Sequence, residues 1–376
     1  MVHPDLKILF QRLEASREAA GLTRDEVEEK LVMGPGWIKL IEEGLTEPSL
    51  GTLAAILALY GDDLHGFFAD FQFGETDVIV DRHLSATEEG ADLVLHFPMG
   101  PHSANVTIPD ATLDEFNSVL LVLRNVLAVR DARRAIVECF LEAVRTWPHV
   151  NPSDLWYFLV AHAYQDDFNH PAESAGKDWA QSWKRAGGWS LEAIFVEHYN
   201  PQLNQHGVRL AMPTAPDEKG RLLGEMGLHG SGVVEKSDVI ALGTDAHGNE
   251  HPFGVVHVKA SFAERRTDDA PLSARLMASG FASPLLTMDC KAGPSTDPFN
   301  KGELGAVQGG IARVSSKRLD IERDRIFDAA FSYNANTEPT PTGTSAAARI
   351  YRCNFADPDD SFSRHMIRKW QERQGN

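Results

Sequence analysis

The chain has 376 residues, room for two or three domains, and its 43% hydrophobic and 24% charged residues are ordinary for a globular protein. The formal net charge of −18 excludes a protein that coats DNA non-specifically, but leaves room for a local cleft where acids hold metal ions. No apolar run is long enough to span a membrane, the N-terminus is no signal peptide, and the three scattered cysteines form no metal motif, so a reducing cytoplasm is the expected compartment.

Residues 1–70 read as helical throughout. Leu6, Leu9, Phe10 and Leu13 recur on one helical face. Gly21-Leu22-Thr23 ends that helix, and Thr23 caps the next, which carries Val27 and Leu31. A third segment holds Trp37, Ile38 and Ile41 and closes at Gly44; Pro48-Ser49 opens a fourth with Leu53, Ile56 and Leu57. The string GLTRDEVEEKL…IKLIEEGLTEPSLGTLAAILALYG resembles the Cro/repressor-type helix-turn-helix domain. The copy departs from that pattern where DNA contacts belong. Its recognition helix opens Gly34-Pro35-Gly36-Trp37 with Lys39 as the base nearby, and acidic residues outnumber basic ones about two to one over residues 1–70. A DNA reader and a helical partner-binding module fit this segment equally well.

Residues 71–128 change character. Asp77–Asp81, Asp92–Phe97 and Asn105–Ile108 are strand-like, and a helix follows from Leu113 to Leu127 with Leu120, Leu121 and Leu123 expected inside. This stretch is a small sheet-plus-helix linker subdomain without candidate chemistry.

Residues 129–376 read as one larger α/β domain. Arg133–Trp147 and Pro152–Tyr164 are amphipathic, and Ser190 is positioned to cap a helix running to Tyr199, which puts Glu192 in its first turn. Glu192 is then either a dipole-favoured acid or an additional acid at a metal site. Asp238–Leu242 and Val255–Lys259 form a hairpin bent near Gly248, so that Asp238 falls opposite about Val258 and next to Lys259. Cross-strand Asp–Lys pairs are common in ordinary hairpins, so this pair alone does not make a catalytic site. Leu285–Lys291 is a further strand with a second acid-x-lysine, Asp289–Lys291. A Gly/Pro-rich stretch, a helix near Leu319–Ala330, a loop at Asn334–Ser345, a strand at Ala348–Phe355 and a helix at Phe362–Arg373 complete the chain.

Lys259 follows Asp238 by 21 positions, as in the PD-(D/E)XK nuclease pattern. The longer string HVKASFAERRTDDAPLSARLMASGFASPLLTMDCK, with NPSDLWYFLVAHAY and DWAQSWKRAGGWSLEAIFVEHYN before it, resembles the BsaWI-type, CCGG-cutting group of type II restriction endonucleases over roughly residues 130–295. The resemblance implies a mixed sheet flanked by helices and a Mg²⁺-dependent phosphodiesterase. It makes Asp238 the central metal ligand and Lys259 the catalytic lysine. His257 stands where the acid two before the lysine belongs, and relatives often place a substitute acid further along; Glu264, Asp268 and Asp269 are the candidates, with Glu264 preferred.

Those residue types suit the chemistry. Hard oxygen ligands hold Mg²⁺, which neutralises the phosphate and acidifies water, and a lysine adds a point charge beside the scissile group. Arg265 and Arg266 offer forks for guanine, and Asp268 and Asp269 offer acceptors for cytosine, as a CCGG core requires. Without the resemblance these four would read as a solvated salt-bridge cluster. A palindromic duplex calls for a homodimer or higher even oligomer. A helix-turn-helix regulator with an inactive nuclease-like or ligand-binding C-terminal domain is the competing reading, and intact Asp238 and Lys259 disfavour it. The acidic balance disfavours a defence nuclease without sequence preference.

Overall fold

The computed structural model describes residues 4–43, 48–68, 85–99, 102–128, 132–163, 179–230, 237–262, 266–293, 298–305 and 314–375. The chain divides into two compact units, Met1–Asp77 and Val78–Asn376.

The described residues of the first unit form five helices: α1 (Pro4–Ala19), α2 (Arg24–Lys30), α3 (Trp37–Glu42), α4 (Leu50–Tyr60) and α5 (Leu64–Phe68). Phe10, Leu13, Val27, Ile38, Ile41, Leu53, Ile56, Leu57 and Phe67 form its core. Thr23 caps α2 in a reciprocal box with Glu26, and Ser49 caps α4. Trp37 does not join the core; it is 44% exposed beside Leu40, because α3 turns Ile38 and Ile41 inward instead. The expected stop at Gly44 lies outside the described residues.

The buried ionic groups of this unit, Arg17, Glu28 and Glu42, are satisfied internally. Glu42 is buried between Arg17 and Arg24, each guanidinium Nε donating to it at 2.7 Å. Glu28 accepts from the Gly36 and Ile38 backbone N–H groups at 2.9 and 2.8 Å. A carboxylate thus already occupies the start of α3, where a DNA phosphate would approach a recognition helix.

The second unit opens with an antiparallel sheet of β1 (Ser85–Glu89), β2 (Asp92–Met99) and β3 (His102–Ile108), in the order β1-β2-β3. Helix α6 (Leu113–Ala128) buries Leu120 and Leu123, but Leu121 is 54% exposed, since a 3.6-residue period cannot turn both 120 and 121 inward with 123. The strand expected at Asp77–Asp81 lies outside the described residues.

A six-stranded mixed sheet follows, in the order β4 (Val208–Ala211), β5 (Val239–Thr244), β6 (Glu250–Lys259), β7 (Leu285–Thr287), β8 (Ala330–Ser332) and β9 (Ile350–Arg352). The pairs β4–β5 and β5–β6 are antiparallel, and β6 through β9 run parallel. One face, with Val239, Ala241, Val256, Val258, Leu286 and Phe331, shares a core with residues of α7 (Ala132–Thr146), α8 (Pro152–Trp156), α9 (Trp179–Leu203) and the last helix (Ser361–Gln374). The other face carries Ile240, Leu242 and Val255 against α10 (Pro216–Glu225) and α11 (Arg266–Ala278). A third cluster joins Leu285, Ala330 and Ile350 to Ile321 of α12 (Ser316–Glu322), a shorter helix than expected because Ala330 already begins β8. The last helix, α13, seats Trp370 against Phe253 and directly over Gly243, where any Cβ would lie 2.1 Å from the indole. This is a mixed sheet flanked by helices, preceded by an all-α helix-turn-helix unit and a small antiparallel sheet.

Among the described residues no helix is long and apolar enough to cross a membrane, and all three cysteines are free thiols.

Candidate active site

The β5–β6 hairpin forms for the reasons its sequence suggests. Both strands are rich in β-branched and aliphatic residues, and the bend is held by Asp245, whose Oδ1 accepts from the backbone of His247 and Asn249 at 2.8 and 2.9 Å. Gly248 supplies the left-handed conformation of the turn at φ 84°. The pairing Val239↔Val256 sets Asp238 level with His257, one position from the expected Val258; the register shift at Ala241/Leu242 moves it there from the level of Val256. Strand alternation places Asp238 on the face of Ile240, and Lys259 on that of Val255, so both look toward α10 and α11.

Asp238 and Lys259 meet. Asp238 Oδ2 accepts from Lys259 Nζ at 2.6 Å and from the Val258 backbone N–H at 2.9 Å. A second carboxylate closes on the same ammonium: Asp269 Oδ2 lies 3.3 Å from Lys259 Nζ, and the Asp269 side chain is 5% exposed. Burial works against the lysine's charge, but Asp238 and then Asp269 outweigh it and hold the ammonium above its ordinary pKa.

Glu192 reaches this cluster from α9. Helix α9 runs unbroken through Gly187-Gly188, so Ser190 is a mid-helix residue rather than a cap. Its hydroxyl donates back to the Ala186 carbonyl at 2.7 Å and to Arg133 at 2.9 Å. The first-turn reading of Glu192 is therefore corrected. Burial, with the charge of Asp238 added, pushes the Glu192 carboxyl up to about 8, while Lys219 and Lys259 pull it down. Lys219, on α10, belongs to the same electrostatic group and nothing in its local sequence marks it.

The remaining expected residues fall differently. The stretch after the strand is not a turn throughout: α11 begins at Arg266, so Arg266, Asp268 and Asp269 are helical. Asp269 is buried on Lys259, which corrects its expected role as an outward acceptor for cytosine. Glu264 and Arg265, and the side chains of Arg266 and Asp268, lie outside the described residues. His257 is fully buried, with Nε2 3.0 Å from Ser283 Oγ, and burial holds its pKa below the ordinary histidine value. The rival pair does not assemble. Asp289 Oδ1 accepts from the Glu303 backbone N–H at 2.7 Å and Oδ2 from the Thr337 hydroxyl at 2.7 Å, while Lys291 turns to Glu303 at 3.5 Å.

Among the described residues no three His, Cys, Asp or Glu groups gather closely enough to hold a metal ion as they stand. The donors nevertheless suit a hard divalent cation. Asp238 and Asp269 are drawn together by an ammonium, and Glu192 is held protonated by burial and by the charge of Asp238, both of which a bound cation would counter.

A six-stranded mixed sheet with an acid–lysine pair on its central hairpin defines a nuclease of the restriction-endonuclease fold. Comparison with known proteins agrees. The chain is 37% identical over 247 residues to the type II restriction enzyme AgeI of Thalassovita gelatinovora, covering 63% of this chain and 84% of that enzyme. It superposes on the crystal structure of the specific AgeI–DNA complex with a TM-score of 0.63 at 32% identity, covering 73% of this chain and 99% of that one. The pre-specific BsaWI–DNA complex matches with a TM-score of 0.34 at 16% identity, over 69% of this chain and 94% of that one, a likeness too slight to carry an argument. A family described as "Helix-turn-helix domain" matches residues 9–65. The chain belongs to the type II restriction enzymes, in the family of AgeI, and is a site-specific deoxyribonuclease with an N-terminal helix-turn-helix domain.

Proposed function

We propose that the protein makes Mg²⁺-dependent double-strand breaks at a short palindrome with a CCGG core. The observation that carries this reading is the Asp238–Lys259–Asp269 cluster on the central hairpin, with Glu192 beside it. Asp238, Asp269 and Glu192 would hold the Mg²⁺; Asp269 takes the place first given to Glu264, which remains a further candidate. A bound Mg²⁺ supplies neutralisation of phosphate charge in a poorly hydrated site.

The chain's own residues do the rest. Lys259 would direct its ammonium to the scissile phosphate and the attacking water. Arg266 and Asp268 lie in the first turn of α11, the helix that follows the Lys259 strand in the chain, and Arg265 precedes them in sequence. They read bases beside the cut phosphate, Arg on guanine and Asp on cytosine or on the arginine forks. Two copies of the chain act on one duplex, because each supplies one Asp238–Lys259 site and a palindrome has two scissile bonds. The crystallised AgeI relative is a DNA complex, which supports duplex DNA as the partner. The CCGG core rests on the BsaWI-type string around His257–Lys291.

Incubating the protein with plasmid DNA in Mg²⁺ and sequencing the fragment ends tests the reading. Uniform ends within a CCGG-centred palindrome are expected. Ends scattered over unrelated sequence would overturn the specificity, and intact plasmid would overturn the cleavage.

A further inference from the structure

Cations of the second unit are, for the most part, spoken for. Arg134 pairs with Glu138 and Glu197, Arg209 with Glu250, Arg221 with Glu225, Arg318 with Glu322, and Lys259 with Asp238 and Asp269. Lys219 differs. It is half-buried, yet it makes no ion pair within 4.0 Å among the described residues.

Its place follows from helix geometry. Leu222 and Leu223 of α10 are buried in the cluster with Ile240, Leu242 and Val255. Lys219 stands three and four positions before them, on the same side of α10, one turn along the helix. Pro216, Asp217, Glu218 and Arg221 around it are exposed, so the lysine is the polar residue that this helix turns toward the sheet. Asp238 shares a sheet face with Ile240 and Leu242, and it is Asp238 and Glu192 whose charges Lys219 senses. Burial lowers the lysine's pKa, and those two carboxylates offset the effect. A cation kept partly out of water, near two carboxylates but in contact with neither, can take an anionic ligand directly.

We propose that Lys219 binds a backbone phosphate of the DNA strand beside the Asp238–Lys259 site. The proposal rests on the nuclease reading above and adds a second cation, from the opposite element, to the one on β6. Lys259 and Lys219 would then hold the strand from two sides of the carboxylates, which lets an acidic protein accept a polyanion at this one place.

The test is duplex binding followed by fluorescence anisotropy in Ca²⁺, over a series of salt concentrations, for wild type, Lys219→Ala, Lys219→Gln and Lys219→Arg. One phosphate contact contributes about 0.9 to the slope of log K against log salt. Both neutral variants should lose about that much per chain bound, on cognate and unrelated duplex alike, and Lys219→Arg should restore it. Two neutral variants of different shape, each checked by thermal melting, separate the charge from any packing defect. An unchanged slope in the neutral variants would overturn the proposal, and so would tighter Ca²⁺ binding without DNA at an unchanged slope, since the lysine would then serve only the carboxylates. A wild-type protein that binds no duplex would overturn the nuclease reading together with this one, whereas a wild type that binds and cuts leaves the variants to decide on Lys219 alone.

Discussion

In residues 1–77 the buried acids and bases cancel: Glu42 takes Arg17 and Arg24, and Glu28 takes the backbone donors at the start of α3. In the nuclease unit three carboxylates, Asp238, Asp269 and Glu192, face Lys259 with Lys219 behind. The first arrangement is finished and needs nothing from outside. The second is incomplete: burial, with the charge of Asp238 added, keeps Glu192 protonated up to about pH 8, so one of its carboxyls holds a proton where a partner cation could stand. The two units show that a fold's name does not locate the work: the domain that resembles a DNA reader ties up its Arg17 and Arg24, and the nuclease hairpin in an acidic chain keeps a buried carboxyl in its protonated form.

The contrast can be broken most sharply at the hairpin. Asp238→Ala and Lys259→Ala should each lower plasmid cleavage by about a hundred- to a thousandfold or more, as for other lost electrostatic groups, while circular dichroism shows a folded chain. Full cutting by either variant would remove the site from β5–β6.

Glu42→Ala should act on stability instead. It strands the buried Arg17 guanidinium and should cost the helix-turn-helix unit about 3 kcal/mol, seen as an early melting transition. The cut sequence should stay the same, and a changed sequence would make the unit a reader.

Arg265→Ala or Arg266→Ala should cost about 1–3 kcal/mol per half-site, and a dimer loses the contact twice. Specific binding should fall roughly a hundredfold or more, with binding to a scrambled duplex changing by at most about one phosphate contact. Equal losses on both duplexes would make these arginines phosphate clamps.

Acidity gives a smaller effect with a definite sign. Glu192 is raised from 4.5 to about 8, so between those values the native protein keeps a proton that the unfolded chain has shed. Stability of the metal-free protein should therefore fall as pH rises through that window, by at most about 1.4 kcal/mol per pH unit. Denaturant melts of wild type and Glu192→Gln should show the slope in the first and its loss in the second. Equal pH slopes would place Glu192 in ordinary solvent. Smallest of all should be the effect of trimming the chain to residues 78–376, which should leave the cut sequence unchanged when fragment ends are sequenced.

Local pattern made the hairpin, the Thr23 cap and most of the helical faces readable from the residues, because each depends on neighbours within a few positions. The site was half readable for the same reason. Asp238 and Lys259 lie on adjoining strands of one hairpin, whereas Asp269 and Lys219 arrive on α11 and α10 through packing that no local period encodes. Asp269 looked like one of a run of surface charges, and only the burial of α11 on the sheet turns it onto Lys259. Ser190 read as a cap, and the long α9 instead runs through Gly187-Gly188, with Leu191, Ile194 and Phe195 buried just beyond.

The seat of Trp370 over Gly243 has a consequence for timing. The sheet that carries Asp238 and Lys259 is sealed on one side by residues made more than a hundred positions later, with Phe362, Met366 and Trp370 joining the core that holds Val239 and Val258. A ribosome delivers the acid and the lysine long before it delivers the helix that seals the opposite face of their sheet. Until α13 emerges, the growing chain exposes the apolar face it will later cover, and the hairpin has no complete core to hold its two charges in register.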